Sequence, residues 1–166
     1  LWQHFAHAAG KGRVVRVSSQ MQFVKDGDLE YDRLCFLSLE TESGFIGRVI
    51  QDVVTLPARK WARAQHVDGA VEWQCGSKPG CDEVREVLYS GQTTVTEVKK
   101  TRPDDFIKEL RHIRSVLDGD IGESPISLER GLDTMLVLAA AHLSAKRGAS
   151  VTINWDKGYV PEALTF

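Results

Sequence analysis

The stretch Val14-Val15-Arg16-Val17-Ser18-Ser19-Gln20-Met21-Gln22-Phe23 places Val15, Val17, Met21 and Phe23 on one side of an extended chain and Arg16, Ser18, Gln20 and Gln22 on the other. Alternation with a period of two marks a strand buried on one face only. Such a strand needs a cover for its apolar side, and the rest of the chain must supply it.

On its N-terminal side, Trp2, Phe5, Ala6 and Ala9 recur at helical spacing and stop at Gly10, so Leu1 to Ala9 reads as the tail of a helix and Gly10-Lys11-Gly12-Arg13 as a turn. On its C-terminal side, Lys25-Asp26-Gly27-Asp28 supplies turn chemistry. Leu34 to Leu39 is a short apolar run of the kind a buried strand shows, and Gly44 marks the next reversal. Phe45 to Thr55 is rich in Val and Ile, Ala70 to Cys75 alternates again, and short strands are expected around Val84 to Tyr89 and Thr93 to Val98. The intervals are too short for the crossover helices that parallel neighbours require, so the sheet should be mainly antiparallel. A doubly wound nucleotide-binding fold is excluded for these residues.

Two helices follow the strands. After Arg102-Pro103, Asp104 or Asp105 can cap a helix whose Phe106, Leu110, Ile113 and Leu117 fall on one side and which closes at Gly119. Ser127 can cap the second, whose expected stripe is Leu128, Leu132, Met135, Leu136, Ala139 and Leu143; Lys146 and Arg147 suit its negative end and Gly148 stops it. Val151 to Ile153 should return as a last strand. Strands first and helices afterwards indicate an α+β fold: one open, mainly antiparallel sheet with helices packed on one face, in a single domain spanning 1–166. The face carrying Arg16, Ser18, Gln20 and Gln22 is then left to solvent, to a partner or to a ligand.

Composition narrows the function. The 166 residues include 42% hydrophobic and 27% charged ones, enough for one substantial core. Twenty-one basic against 23 acidic side chains give a formal charge of -2 without a basic run, which argues against a nucleic-acid partner. The longest apolar stretch, Met135 to Ala141, is far short of the roughly 20 residues that span a bilayer. The chain starts at Leu1 rather than Met, with no signal-peptide layout, and reads as a cytoplasmic fragment. Cys35, Cys75 and Cys81 form an odd set with no second ligand pair, so they are expected to be reduced thiols rather than disulfides or metal ligands.

Chemical motifs are sparse. Gly76-Ser77-Lys78-Pro79-Gly80 lacks the Gly-Lys-Ser/Thr ending of a phosphate loop and reads as a hairpin. Gly10-Lys11-Gly12 has no strand before it and no helix after it, so it fails as a dinucleotide fingerprint. His4 and His7 share a helix side but lack a third ligand at suitable spacing and read as helix-surface or interface histidines, while His112 and His142 read as packed or solvent-edge ones. No nucleophile elbow is present, and Cys35 lies in an apolar strand where a thiolate is disfavoured. Arg59, Lys60, Trp61 and Arg63 follow Pro57, where cations and an aromatic can hold a sugar or an acidic group.

Ser144-Ala145-Lys146-Arg147-Gly148-Ala149-Ser150-Val151, preceded by Ala140, resembles the closing signature of the glucose-fructose oxidoreductase and inositol dehydrogenase family. Phe106, Glu109, Leu110, Ile113, Leu117 and Gly119 resemble its penultimate helix, and Ser127 with Gly131-Leu132 the start of its last one. Ser43-Gly44, Gly47 and Gly69-Ala70-Val71 extend the likeness over nearly the whole chain. The resemblance implies the C-terminal domain of that family, with a dihydrodipicolinate-reductase-like fold, and an N-terminal Rossmann domain for NAD or NADP that is absent from these residues. In such enzymes hydride passes between a sugar or polyol carbon and the nicotinamide, while a Lys and a His near the domain junction move the proton. Counting back from Gly10 puts that His at or just before Leu1, so the resemblance carries no catalytic and no cofactor-binding residue over. What it implies for this chain is a wall of the substrate pocket and a sheet face for homo-oligomerisation, with Arg16, Gln20, Gln22, Arg59 and Trp61 as substrate or interface residues. The other reading is a stand-alone binding or assembly module of the same fold without redox activity.

Overall fold

In the computed structural model, which describes all 166 residues, the chain divides into two compact units, Leu1–Val54 with Glu123–Phe166, and Thr55–Gly122. The fold is α+β, and every strand pairing is antiparallel. The strands form two sheets where the sequence suggested one.

The first unit begins with helix α1 (Trp2–Ala8) and then β1 (Val14–Asp26), β2 (Leu29–Thr41) and β3 (Ile46–Asp52); it resumes with helix α3 (Leu128–Arg147), β8 (Val151–Ile153) and β9 (Leu164–Thr165). Its five-stranded sheet has the order β3-β2-β1-β8-β9, with β1 at the centre. The alternation of β1 is borne out from Arg16 to Gln22: Val17, Ser19 and Met21 face inward, and Arg16, Ser18, Gln20 and Gln22 are exposed. Register shifts correct its two ends. One between Val14 and Arg16 buries Val14 completely and leaves Val15 only half-buried; another between Gln22 and Phe23 leaves Phe23 exposed. An extra residue in one strand moves every later side chain to the other face, which is how the period-two pattern loses phase.

Helix α3 covers the inner face. Ser127 Oγ accepts from Arg130 N and Gly148 closes the helix in the left-handed conformation, as expected of the two caps. The expected stripe meets the buried face only at Leu136, with Leu143 packed at the edge of the core. The buried face is Asp133, Leu136, Val137, Ala140, Ala141 and Ser144, while Leu128 and Met135 are exposed. Close approach of helix to sheet selects small residues: Ser19 N donates to Ser144 Oγ at 2.9 Å and Ser19 Oγ donates to the Ala141 carbonyl. Small residues let the helix approach β1 closely around Leu136 and Val137, while Leu128, Met135 and Leu138 turn outward. Val14, Val17, Leu39, Val137, Val151 and Ile153 complete this core. On α1, Trp2 stacks on Phe45 at 5.6 Å and lies over Gly47, where a Cβ would come within 2.2 Å of Trp2 Nε1.

The second unit is a four-strand meander, β4 (Trp61–His66), β5 (Gly69–Lys78), β6 (Cys81–Leu88) and β7 (Thr93–Lys99), followed by helix α2 (Asp104–Leu117). Asp82 is its one buried charged residue. It accepts from Gly76 N at 2.8 Å, Lys100 Nζ at 2.9 Å and Trp73 Nε1 at 3.3 Å. Burial opposes its ionisation, but the Gly76 and Lys100 hydrogen bonds outweigh burial and hold its pKa below the usual value. Two expectations for α2 are corrected. Neither Asp caps it from outside: the helix starts at Asp104, whose carboxylate accepts from Thr101 N at 3.0 Å. Its apolar stripe is not core either, because Phe106, Leu110, Ile113 and Leu117 are all exposed.

Candidate functional site

The most strongly organised polar group of the first unit is built around Asp133, which is 2% exposed on the second turn of α3. Its Oδ1 accepts from Arg13 Nη2 at 2.5 Å and from Tyr159 Oη at 2.9 Å. Arg13 comes from the turn that leads into β1, and its guanidinium lies 3.7 Å from the centre of the Trp155 ring. Trp155 is fixed in turn, its Nε1 donating to the Val14 carbonyl at 2.8 Å. A buried carboxylate that lost its cation would be strongly destabilising, and here three segments of the unit converge to keep the pair.

The second oxygen of Asp133 looks toward the opposite side. Its Oδ2 lies 3.8 Å from His7 Nε2 and 3.9 Å from Arg130 Nη1. Arg130 Nη1 is 2.9 Å from both nitrogens of His7, and since a neutral imidazole has one acceptor, only one of them takes a hydrogen bond. Burial lowers the His7 pKa first and the Arg130 charge lowers it further, against an opposing pull from Asp133. His7 is therefore a neutral imidazole near pH 7. Arg130 Nη2 reaches out to Glu123 at 2.9 Å. Burial also raises the Tyr159 pKa, and its hydrogen bond to Asp133 adds to the shift, which keeps the phenol a donor.

Beside this network α1, α3 and the segment before α3 border an open pocket of about 490 Å³. Its lining includes polar Gln3, His4, Glu123, Ser127, Arg130 and Thr134 and apolar Pro125 and Ile126. Gln3 Nε2 is buried without a hydrogen-bond partner. A lining of mixed polar and apolar side chains suits a polyhydroxylated or carboxylated small molecule. No three His, Cys, Asp or Glu side chains converge to hold a metal ion.

The residues singled out by sequence lie elsewhere. Arg16, Gln20 and Gln22 stand on the open face of the five-stranded sheet, Arg16 paired with Glu40 at 3.0 Å. The cross-strand neighbours of Gln20 and Gln22 are Phe36 and Leu34. Arg59 and Trp61 belong to the second unit, Arg59 before β4 and Trp61 at its first position, both exposed. Sequence reading missed Asp133, Arg13, Arg130 and Tyr159 altogether. The available signal was an acidic residue beside the apolar positions of α3, which a stripe drawn one position off conceals.

The glycine segments do not fit a dinucleotide. Gly10 to Gly12 joins a helix to a strand, and Gly76 to Gly80 covers the end of β5 and the Pro79-Gly80 turn into antiparallel β6, a hairpin as expected. Neither leads from a parallel strand into a helix N-terminus, the geometry that cradles a pyrophosphate.

No family model matches the chain, and no curated protein matches it. Solved structures do. An oxidoreductase from Agrobacterium radiobacter, in complex with NAD+, L-tartaric acid and magnesium, superposes with a TM-score of 0.67 and 17% identity over 89% of this chain. Aldose-aldose oxidoreductase from Caulobacter crescentus, complexed with glycerol, gives a TM-score of 0.68 and 18% identity over 91% of this chain. The chain spans 45% and 46% of the lengths of those two proteins. Over those spans the chain has the α+β fold of these oxidoreductases, the fold expected of the C-terminal domain of glucose-fructose oxidoreductase and inositol dehydrogenase relatives.

Proposed function

We propose that residues 1–166 are the substrate-binding and oligomerisation domain of an NAD(P)-dependent oxidoreductase acting on a sugar, a polyol or a related alcohol. The observation that carries this reading is the shared fold over just under half the length of two oxidoreductases, one bound to NAD+ and L-tartaric acid and the other to glycerol. In this reading NAD or NADP is held by a nucleotide-binding domain outside these residues. Hydride transfer takes place there, and this chain contributes no catalytic residue.

Two surfaces have the chemistry for substrate binding and for assembly. The pocket beside Asp133 has a mixed polar and apolar lining suited to a polyhydroxylated ligand. The open face with Arg16, Gln20 and Gln22 also carries exposed Phe36, Ile46 and Ile50, a mixture suited to a self-complementary sheet-to-sheet contact. Arg59 and Trp61 are proposed as further substrate or interface residues on the same grounds of cation and aromatic chemistry.

The complete reading frame tests this proposal. A segment upstream of Leu1 coding for a strand, a Gly-x-Gly-x-x-Gly turn and a helix, followed by a junction Lys and His, is the expected finding, together with NAD(P)-linked oxidation of a polyol by the product. This 166-residue polypeptide should itself bind neither NAD nor NADP in a calorimetric titration. An unrelated upstream segment would overturn the redox reading and leave a stand-alone binding module built around the cavity.

A further inference from the structure

Helix α2 is turned the unexpected way. Its half-buried positions include Asp104, His112, Ser115 and Val116, while Phe106, Ile107, Leu110, Ile113 and Leu117 are 39% to 78% exposed. Nothing in the second unit covers the apolar side. The exposed positions 106, 110, 113 and 117 are spaced four, three and four residues apart, the narrow seam of a helix that packs against one other helix.

The charges on the same helix say which helix would fit. Residues 104–110 carry Asp104, Asp105 and Glu109 against Lys108, three acidic and one basic, for a net -2. Residues 111–118 carry Arg111 and Arg114 against Asp118, which pairs with Arg114 at 2.7 Å, for a net +1. A copy of α2 laid antiparallel sets each acidic half against a basic half and opposes the two helix dipoles; a parallel copy sets like against like. The seam is also symmetric about its midpoint, so a two-fold axis brings Phe106 against Leu117 of the second copy and Leu110 against Ile113.

We infer that the exposed seam of α2 is a self-association surface, closed by α2 of a second copy of this chain in antiparallel orientation. The contact is distinct from the open face of the five-stranded sheet. It joins subunits through an element that the nucleotide-binding reading does not need, so it stands or falls independently of that reading.

The test is the molar mass in solution, by light scattering on the chromatographed protein, for the wild type and three variants. L110E/L117E changes only exposed positions, so its far-ultraviolet circular dichroism should match the wild type while its mass falls twofold. D105K/E109K and R111E/R114E each make both halves of the helix carry one sign and should each lose the same association step. Mixed together, the two charge variants should recover it, because every half then meets an opposite. A wild type that is monomeric, a mass unchanged in L110E/L117E, or charge variants that fail to restore each other would overturn the inference. The second of these outcomes would assign association to the sheet face, and a monomeric wild type would leave the seam to a different polypeptide.

Discussion

Arg13 and Asp133 stand 120 positions apart in the sequence, yet the Nη2 of one donates to the Oδ1 of the other at 2.5 Å, beneath the Trp155 ring that lies 3.7 Å from the same guanidinium. One side chain thus ties the turn before β1 to the second turn of α3 and to the segment that follows β8. Replacing Arg13 by Met keeps much of the packing and leaves Asp133 buried without its nearest cation. The expected loss is about 3 kcal/mol, the lower end for one-sided removal from a buried pair, because the Arg13 side chain is partly exposed. Urea denaturation of Arg13→Met against Trp155→Phe separates the ion pair from the ring contact, and equal losses in the two variants would contradict the assignment.

The first unit should lose stability in mild acid through His7. Its folded pKa lies below the unfolded value of 6.5, so below that value the unfolded chain binds more protons than the folded one. The contribution of the neutral imidazole is therefore complete above pH 6.5 and disappears as the pH falls through the lowered folded pKa. Asp82, Glu97 and Asp104 also have lowered values, but their windows lie lower still, beneath ordinary carboxylate values. His7→Gln should flatten the decline of stability just below pH 6.5 and leave the deeper acid limb in place. An unchanged slope in thermal melts across that interval would show that His7 protonates freely.

Gly69 at the start of β5 is expected to tolerate no side chain. A Cβ there would meet the Val87 carbonyl oxygen at 2.1 Å and Leu88 Cα at 2.9 Å, both backbone atoms that cannot step aside without opening the β5–β6 ladder. Gly69→Ala should cost about 1–3 kcal/mol, the usual range for overpacking. Gly131→Ala, with open space at its Cβ, is the control and should gain slightly through helix propensity. Amide exchange in β5 and β6 reads the difference, with faster exchange confined to the first variant.

On the open sheet face, Arg16→Ala removes an exposed ion pair with Glu40 and should change monomer stability by less than about 1 kcal/mol. If that face joins subunits, Ile50→Glu, at a residue 57% exposed in the single chain, weakens association without altering the fold. Sedimentation across a concentration series distinguishes the two effects, and unchanged association in Ile50→Glu would remove the face from the interface.

How far the fold could be read from sequence depended on what each residue had to touch. The inner and outer faces of β1 were legible because Val17, Met21, Gln20 and Gln22 answer only to a sheet period, and both α3 caps were legible because Ser127 and Gly148 act locally. The buried side of α3 was not, since Ala140, Ala141 and Ser144 are chosen for helix-to-sheet distance rather than hydrophobicity. The same Ala140, Ser144, Gly148 and Val151 carry the family resemblance, and in the structure they act together to bring α3 onto β1 and to turn the chain back into β8. The division into two sheets left no local trace, because hairpins of either sheet obey the same turn and alternation rules. The cluster around Asp133 was hidden for a third reason. Arg13, Asp133 and Tyr159 are ordinary surface residue types that only contacts between distant segments bring together.

The pairing of β1 with β8 also sets an order of assembly. Val17 lies opposite Val151, so the central strand of the first sheet gains its second neighbour only after residues 55–122 have been synthesised. Those intervening residues pair strictly with their next strand in sequence, through short turns, and can close as soon as they leave the ribosome. The unit that emerges second is thus the one equipped to finish first, while β1 to β3 wait with their inner face open until α3 arrives. During that interval Val14, Val17 and Leu39 are exposed, and the stretch of translation between Thr55 and Ser144 is when the nascent chain is most vulnerable to aggregation.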